Sequence, residues 1–319
     1  MATLLLLTSA RHCFRHRVMQ TRLVEYFIAL HRERHFVRAA AACNVSQPTL
    51  SAGIAMLESQ LGKRLVVRDR KYTGLTAEGE AILPWAQQLV AAAEALAHAA
   101  GTARGPLKGE LRLGAIPASM PATGYLIEAI RARFPELNVQ LRSLTSRQIE
   151  RELAAFELDA GITYIDFEPP AHALSVPLYS ERSMLVSAKQ GIAIPPTPGW
   201  ADLAQLPLCL LPQGMQNRRI LDARLAALGL GLRPVVTADS YVALLAIVRR
   251  GRLCSIMPDS HAMLLEGLEW IVAMPLPETD NMNRVGVIIS DRTPMSPLAR
   301  GVLTVARELN LPPDYRLPS

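Results

Sequence analysis

The run Phe36-Val37-Arg38-Ala39-Ala40-Ala41-Ala42-Cys43-Asn44-Val45-Ser46-Gln47-Pro48-Thr49-Leu50-Ser51 decides how the rest of this 319-residue chain is read. Its first half is rich in alanine, which lets a packed neighbour come close, and Asn44-Val45 forms a tight turn. Ser46 is a good N-cap because its hydroxyl accepts from a free backbone N–H of the following turn. Pro48 falls early in that turn, where its missing N–H is no loss. The helix that starts here carries Leu50, Ile54, Leu57 and Leu61 at i, i+4, i+7 and i+11, a single apolar stripe. Gln47, Thr49, Ser51, Ala52 and Ala55 fall on its other faces.

Upstream, Leu23, Tyr26, Phe27 and Leu30 repeat at i, i+3, i+4 and i+7, so a first amphipathic helix precedes the alanine-rich one. Two helices joined by a short turn, the second with small hydrogen-bonding side chains at its start, are how a helix-turn-helix reaches base edges in a major groove. Ser51, Ala52 and Gly53 are small enough for close approach, and Gln47 offers a bidentate amide to adenine. Downstream, Leu61 to Thr76 reads as two short strands around a basic turn, a wing placed for phosphates.

The charge agrees with this placement. Residues 1–76 hold ten arginines and two lysines against Glu25, Glu33, Glu58 and Asp69, a balance of +8, so the +6 chain leaves −2 for the remaining 243 residues. A basic module that meets an anion is thus joined to a near-neutral body. At 50% hydrophobic and 19% charged, the chain is neither a disordered tail nor a disulfide-rich scaffold. No apolar run is long enough for a membrane span. Cys13, Cys43, Cys209 and Cys254 show no CxxC or metal-finger spacing, which fits a reducing cytoplasm, and Cys209 and Cys254 read as small core residues. His31 and His35 flank Glu33, but the acid is one position late for a His-Glu-x-x-His zinc site; they read as surface residues. No GxSxG, Walker or GxGxxG motif supports an enzyme, and the expectation is no catalytic residue, no metal and no cofactor.

Taken together, Phe36-Val37-Arg38-Ala39-Ala40, Val45 to Ser51, Ile54, Leu57-Glu58, Leu61-Gly62, Leu65, Arg68, Leu75-Thr76 and Gly79 resemble the signature of LysR-type transcriptional regulators. Val66 stands where that family usually has an aromatic residue, and the wing is more basic than typical. The resemblance assigns Ser46, Gln47, Pro48, Thr49 and Ser51 to the DNA-facing start of the recognition helix. It assigns Arg38, Lys63, Arg64, Arg68 and Arg70 to phosphates. The pattern starts at Met19, so residues 1–18 read as a disordered extension or a misplaced start.

From Ala77 to about Gly101 the only strong breaker is Pro84, tolerated in the first turns. Ile82, Leu89 and Leu96 recur every seven residues with alanines between them, which predicts a self-associating helix and hence a dimer on a two-part operator. Residues 102–109 form a hinge-like linker. Beyond it, strands and helices alternate as βαβαβ, the pattern of a mostly parallel sheet covered by helices. The whole is a multidomain α+β and α/β chain: winged helix-turn-helix at 19–76, linker helix and hinge at 77–108, and a two-lobed α/β body at 109–319. Its first lobe covers about 109–178 and 285–319, its second about 179–284. The resemblance implies a periplasmic-binding-protein-like effector domain. Its cleft would be lined by Pro117, Ala118, Ser119, Thr145, Ser146, Thr163, Tyr164, Gln213 and Asn217, whose hydroxyls and amides suit a small anion. It further implies double-stranded operator DNA and an unknown small-molecule effector as partners, a homodimer or homotetramer, and RNA polymerase in the case of an activator. A solute-binding receptor with an N-terminal interaction module leaves the +8 charge unexplained, and an architectural DNA-binding protein leaves the cleft idle.

Overall fold

The structure, a computed structural model, describes residues 19–68, 72–102, 106–277, 283–313 and 315. They form two compact units that divide between Leu96 and Ala97. The extension 1–18 lies outside the described residues.

In the first unit, α1 (Thr21–Glu33), α2 (Phe36–Ala42) and α3 (Gln47–Leu61) are followed by β1 (Val66–Arg68), β2 (Tyr72–Leu75) and the start of α4 (Ala77–Thr102). Leu23, Tyr26, Phe27 and Leu30 of α1 meet Ala39 and Ala40 of α2 and Leu50, Ile54 and Leu57 of α3 in one core. Leu61 does not complete the stripe: α3 ends there, Gly62 turns left-handed at φ 66°, and the Leu61 side chain is 37% exposed. Asn44, at φ 54°, makes the turn between α2 and α3. Gly53 has a different use from the one its size suggested. A Cβ there would stand 2.5 Å from the Tyr26 ring, so its smallness serves the α1–α3 contact and not an approach to DNA.

The wing strands pair antiparallel, Val66 opposite Leu75. Glu58 fastens the wing to α3, its carboxylate accepting from the Leu65 and Val66 N–H groups at 2.9 and 3.2 Å. Thr76 then opens α4, its hydroxyl accepting from Gly79 N at 3.0 Å.

The second unit holds β3 (Gly109–Ala115), a 3₁₀ turn at Pro117–Ser119, α5 (Met120–Arg133), β4 (Leu137–Ser143), α6 (Ser146–Ala154), β5 (Ala160–Tyr164) and β6 (Ala173–Glu181). Then come β7 (Ser183–Ala188), β8 (Cys209–Leu210), α7 (Gln216–Ala227), β9 (Val236–Thr237), α8 (Tyr241–Val248) and β10 (Ser255–Pro258). A 3₁₀ turn at Asp259–His261, α9 (Ala262–Leu265), β11 (Ile271–Pro275), β12 (Asn283–Ser290) and α10 (Pro297–Glu308) complete it.

The first lobe is a five-stranded sheet in the order β4-β3-β5-β12-β6. β3 is parallel to β4 and β5, as the βαβαβ pattern requires, but β12 is antiparallel to both β5 and β6. Four of the five strands therefore run in one direction, as expected of a mostly parallel sheet, and β12 runs against them because it returns from the second lobe. Glu181 still pairs with Asn283, so Tyr179 to Glu181, which the sequence reading assigned to the second lobe, belong to the first sheet. The chain changes sheets at Arg182. In the second lobe β7 is flanked antiparallel by β10 and β11, and β8 and β9 form a short parallel pair.

Candidate functional site

In the first unit the exposed surface at the start of α3 is polar. Ser46 caps the helix, its Oγ accepting from Thr49 N at 3.3 Å and lying 2.8 Å from Thr49 Oγ1. Gln47, Pro48 and Thr49 are exposed in the first turn and Ser51 is half-buried one turn on. The helix start also concentrates free N–H groups and positive dipole there. Arg38 is exposed but tied to the end of α1, donating to Glu33 O at 2.5 Å. Lys63 lies 3.9 Å from Glu78, and Arg64 is exposed. Arg68 ends β1, while Arg70 lies outside the described residues. His35 is not a plain surface residue: its Nδ1 accepts from Val37 N at 3.2 Å and so caps α2.

α4 presents a face that its own unit does not cover. Ile82 packs with Leu83, Ala86 and Val90 against the winged-helix core, whereas Leu89 is 39% and Leu96 72% exposed. Trp85, 72% exposed, lies four residues before Leu89 on the same helix face and takes the place assigned to Ile82. Sequence periodicity found the repeat but not which residue turned inward.

The second unit brings five of the nine expected cleft residues together. Pro117, Ala118, Thr145, Ser146 and Asn217 line a narrow cavity of about 10 Å³ with Ile116, Leu211, Met215 and Gln216. That is room for one water at most. Thr145 caps α6 in a reciprocal capping box with Gln148, so its hydroxyl is already engaged. Ser146 is different: its Oγ is buried, begins a nine-residue helix and has no hydrogen-bond partner. Thr163 and Tyr164 stand one layer back. Thr163 Oγ1 donates to Gln216 Oε1 at 3.1 Å, Gln216 Nε2 donates to Phe167 O, and Asn217 Nδ2 donates to the Tyr164 hydroxyl at 2.7 Å. Two assignments shift. Ser119 is buried and donates to Ile116 O at 3.0 Å, so it stabilises its own turn, and Gln213 is exposed away from the cavity. Met215 and Gln216 fall within the Gln213–Asn217 loop that the resemblance places at the cleft, whereas Leu211 carried no distinguishing sequence signal.

Cys209 and Cys254 turn out to be neighbours, with Cys209 N donating to Cys254 O at 2.8 Å. Burial raises both thiols, Cys254 to about 12, so neither is a thiolate at neutral pH. Among the described residues no helix is long and apolar enough to cross a membrane, and no cluster of side chains is suited to a metal ion.

Residues 104–310 match the model of the LysR substrate binding domain, and residues 21–80 that of the bacterial regulatory helix-turn-helix protein, lysR family. The chain belongs to the LysR family of DNA-binding transcriptional regulators. It is 27% identical to the uncharacterized HTH-type transcriptional regulator YnfL of Escherichia coli K12, over 88% of this chain and 96% of that protein. It is 33% identical to the DNA-binding transcriptional dual regulator OxyR of the same organism, over 52% of this chain and 55% of OxyR. A probable hydrogen peroxide-inducible genes activator of Mycobacterium avium is 37% identical over 59% of this chain and 61% of its own. Among solved structures, a cysteine-to-aspartate variant of full-length OxyR from Pseudomonas aeruginosa superposes with a TM-score of 0.72 at 24% identity, covering 94% of this chain and 97% of that one. Full-length CbnR complexed with its target DNA gives 0.64 at 24% identity, covering 92% and 100%. These likenesses show the LysR fold, a helix-turn-helix domain followed by a substrate-binding domain.

Proposed function

We propose that this LysR-family protein reads operator bases with Gln47, Thr49 and Ser51 at the start of α3, and tracks phosphates with Lys63, Arg64, Arg68 and Arg70 of the wing and with Arg38. It acts in the cytoplasm as a homodimer joined through the Trp85-Leu89-Leu96 face. A small acceptor-rich molecule of the carboxylate type, held at the start of α6, biases the assembly. Ser146 carries the effector reading: a buried hydroxyl without a partner, at a helix start where free N–H groups and dipole favour an anion. A cavity this small requires the walls to part to admit the ligand, so the effector acts through different affinities for two arrangements. The peroxide response named for the Mycobacterium avium relative is not carried over. Cys209 and Cys254 are buried as protonated thiols, and burial also raises the thiol of half-buried Cys43.

Fluorescence anisotropy with DNA from beside the protein's own gene, against scrambled DNA of equal length and at several salt concentrations, tests the operator reading. Gln47→Ala is expected to lose about 1–3 kcal/mol on the first and little on the second. Equal weakening of both removes base readout by Gln47. For the effector, a small carboxylate at 100 times its Kd should add roughly 2.7 kcal/mol of stability, an effect absent from Ser146→Ala. A thermal-shift screen in which no carboxylate stabilises the wild type rejects the proposed ligand class.

A further inference from the structure

Behind the cavity lies a buried polar cluster that ties two of the expected cleft residues, Tyr164 and Asn217, to Glu181, which the cleft assignment did not include. Glu181, the last residue of β6, has Oε2 accepting from the Tyr164 hydroxyl at 2.5 Å. Its Oε1 accepts from the Tyr179 hydroxyl at 2.8 Å and from Ser260 Oγ at 3.1 Å. A hydroxyl has one proton to give. Because Tyr164 commits its proton to Glu181, its oxygen is left to accept, and Asn217 Nδ2 donates to it at 2.7 Å. Asn217 Oδ1 then accepts from the Tyr241 hydroxyl at 3.1 Å. Every bond from Tyr241 through Asn217 and Tyr164 therefore takes its direction from the acceptor at the end of the relay. With its amide fixed in this sense, Asn217 has its second Nδ2–H left for a ligand at the cavity it lines, where Ser146 supplies an O–H.

We propose that Glu181 is the positioning residue that sets the hydrogen-bond polarity of the cleft, orienting Asn217 through Tyr164 so that donors face the ligand and a carboxylate is selected over its isosteric amide. The proposal rests on the effector reading above. Two acceptor oxygens match the Ser146 O–H and the Asn217 N–H, whereas an amide turns its own NH₂ against one of them.

The charge state of Glu181 fits this role. The titratable groups around it are Tyr164 on β5, Tyr179 on its own strand, Tyr241 on α8, Asp259 and His261 on the 3₁₀ turn, and Tyr315 near the C-terminus. Arg182, next in the chain, donates its backbone N–H to Asp259 Oδ1 at 3.0 Å. Burial pushes Glu181 up to about 8 and His261 down to about 4, so both are uncharged at neutral pH. Ser260 accommodates the extra proton without disturbing the relay. Its Oγ lies 3.1 Å from Glu181 Oε1 and 3.3 Å from Ala118 O. A protonated Glu181 donates to Ser260, Ser260 donates to Ala118, and Tyr164 keeps its direction. No negative charge then stands behind a bound carboxylate until the pH passes about 8.

The test is calorimetry on the full-length protein with formate, acetate and propionate against formamide, acetamide and propionamide, at pH 7 and pH 9. The wild type is expected to prefer the acids by about tenfold or more, and its Kd for them to rise about tenfold from pH 7 to pH 9. Tyr164→Phe keeps the ring but releases Asn217, and its preference should fall to within about threefold. Glu181→Gln keeps an acceptor for Tyr164, so it should retain the preference and lose the pH dependence. If Ser146→Ala weakens acid binding while Tyr164→Phe discriminates like the wild type, or Glu181→Gln keeps the pH slope, the relay is wrong and the cleft reading stands. If no acid binds the wild type, or Ser146→Ala binds like it, the cleft reading falls and the relay falls with it.

Discussion

Gly79 carries more structural weight than its size suggests. A Cβ at this position would stand 2.2 Å from the Leu65 carbonyl oxygen, and that oxygen already accepts from Thr76 N at 3.0 Å. Leu65 in turn is held through its N–H by Glu58 of α3. The obstacle is thus backbone that is bonded on both sides and has nowhere to yield. Gly79→Ala is expected to cost about 1–3 kcal/mol and to displace the wing from α4. Thermal melts together with operator binding check this, and a variant that matches the wild type in both would show that the wing shifts freely. Gly79 and Glu58 were both visible in the sequence as members of a family pattern. Their reasons were not, because each depends on an approach between residues far apart in the chain. Gln47 and Thr49 were easier to place, since capping by Ser46 and a proline in the first turn are local chemistry.

At the scale of the element, α4 carries the proposed dimer seam. Its 26 residues are rich in alanine, and Trp85, Leu89 and Leu96 lie on one exposed face with Ala92 between them. Ala92 is small enough for a second helix to come close beside the three large side chains. Glutamate at both Leu89 and Leu96 puts like charges on that seam, and the double variant is expected to sediment as a monomer at micromolar concentration. It should also lose most of its affinity for a two-part operator while its binding to a single half-site is spared, because linkage of the half-sites is lost and no base contact is. A double variant that remains dimeric places the seam elsewhere. The seven-residue repeat was legible because a helical period is local. That Ile82 turns toward its own winged-helix core was not, since that depends on how the wing and α1 dock. The second lobe was harder still. β10 and β11 are four- and five-residue runs whose strand character comes from pairing with β7, and the antiparallel return of β12 is set by the crossing at Arg182.

At the scale of the molecule, two buried groups give folding stability an unusual dependence on pH. In the unfolded chain Glu181 titrates near 4.3 and His261 near 6.5, taking ordinary values as roughly right. Folding raises the first to about 8 and lowers the second to about 4, both by burial. Between about pH 4.3 and 8 the folded state holds a proton on Glu181 that the unfolded state has lost, so stability falls with rising pH by about 1.4 kcal/mol per unit. Between about pH 4 and 6.5 the unfolded state holds a proton on His261 that the folded state lacks, so stability rises by a similar amount. The two slopes nearly cancel up to about pH 6.5, and from there to about pH 8 only the Glu181 slope remains, a loss of about 2 kcal/mol. Burial also raises Asp259 and Glu150, which adds to the fall above the ordinary carboxylate range. The ion-paired carboxylates Asp166 and Glu168 are lowered and lose their contribution only in acid, and the raised thiols of Cys209 and Cys254 matter above about pH 8.5, where free thiols ionise. Urea denaturation from pH 5 to pH 9 should therefore show a plateau followed by a decline that begins near pH 6.5. In Glu181→Gln the decline up to pH 8 should vanish, leaving the rise due to His261, about 3 kcal/mol in full between pH 4 and 6.5. A decline of equal size in the variant would mean that Glu181 is already ionised in the folded protein at neutral pH, and that its three hydroxyl donors outweigh its burial.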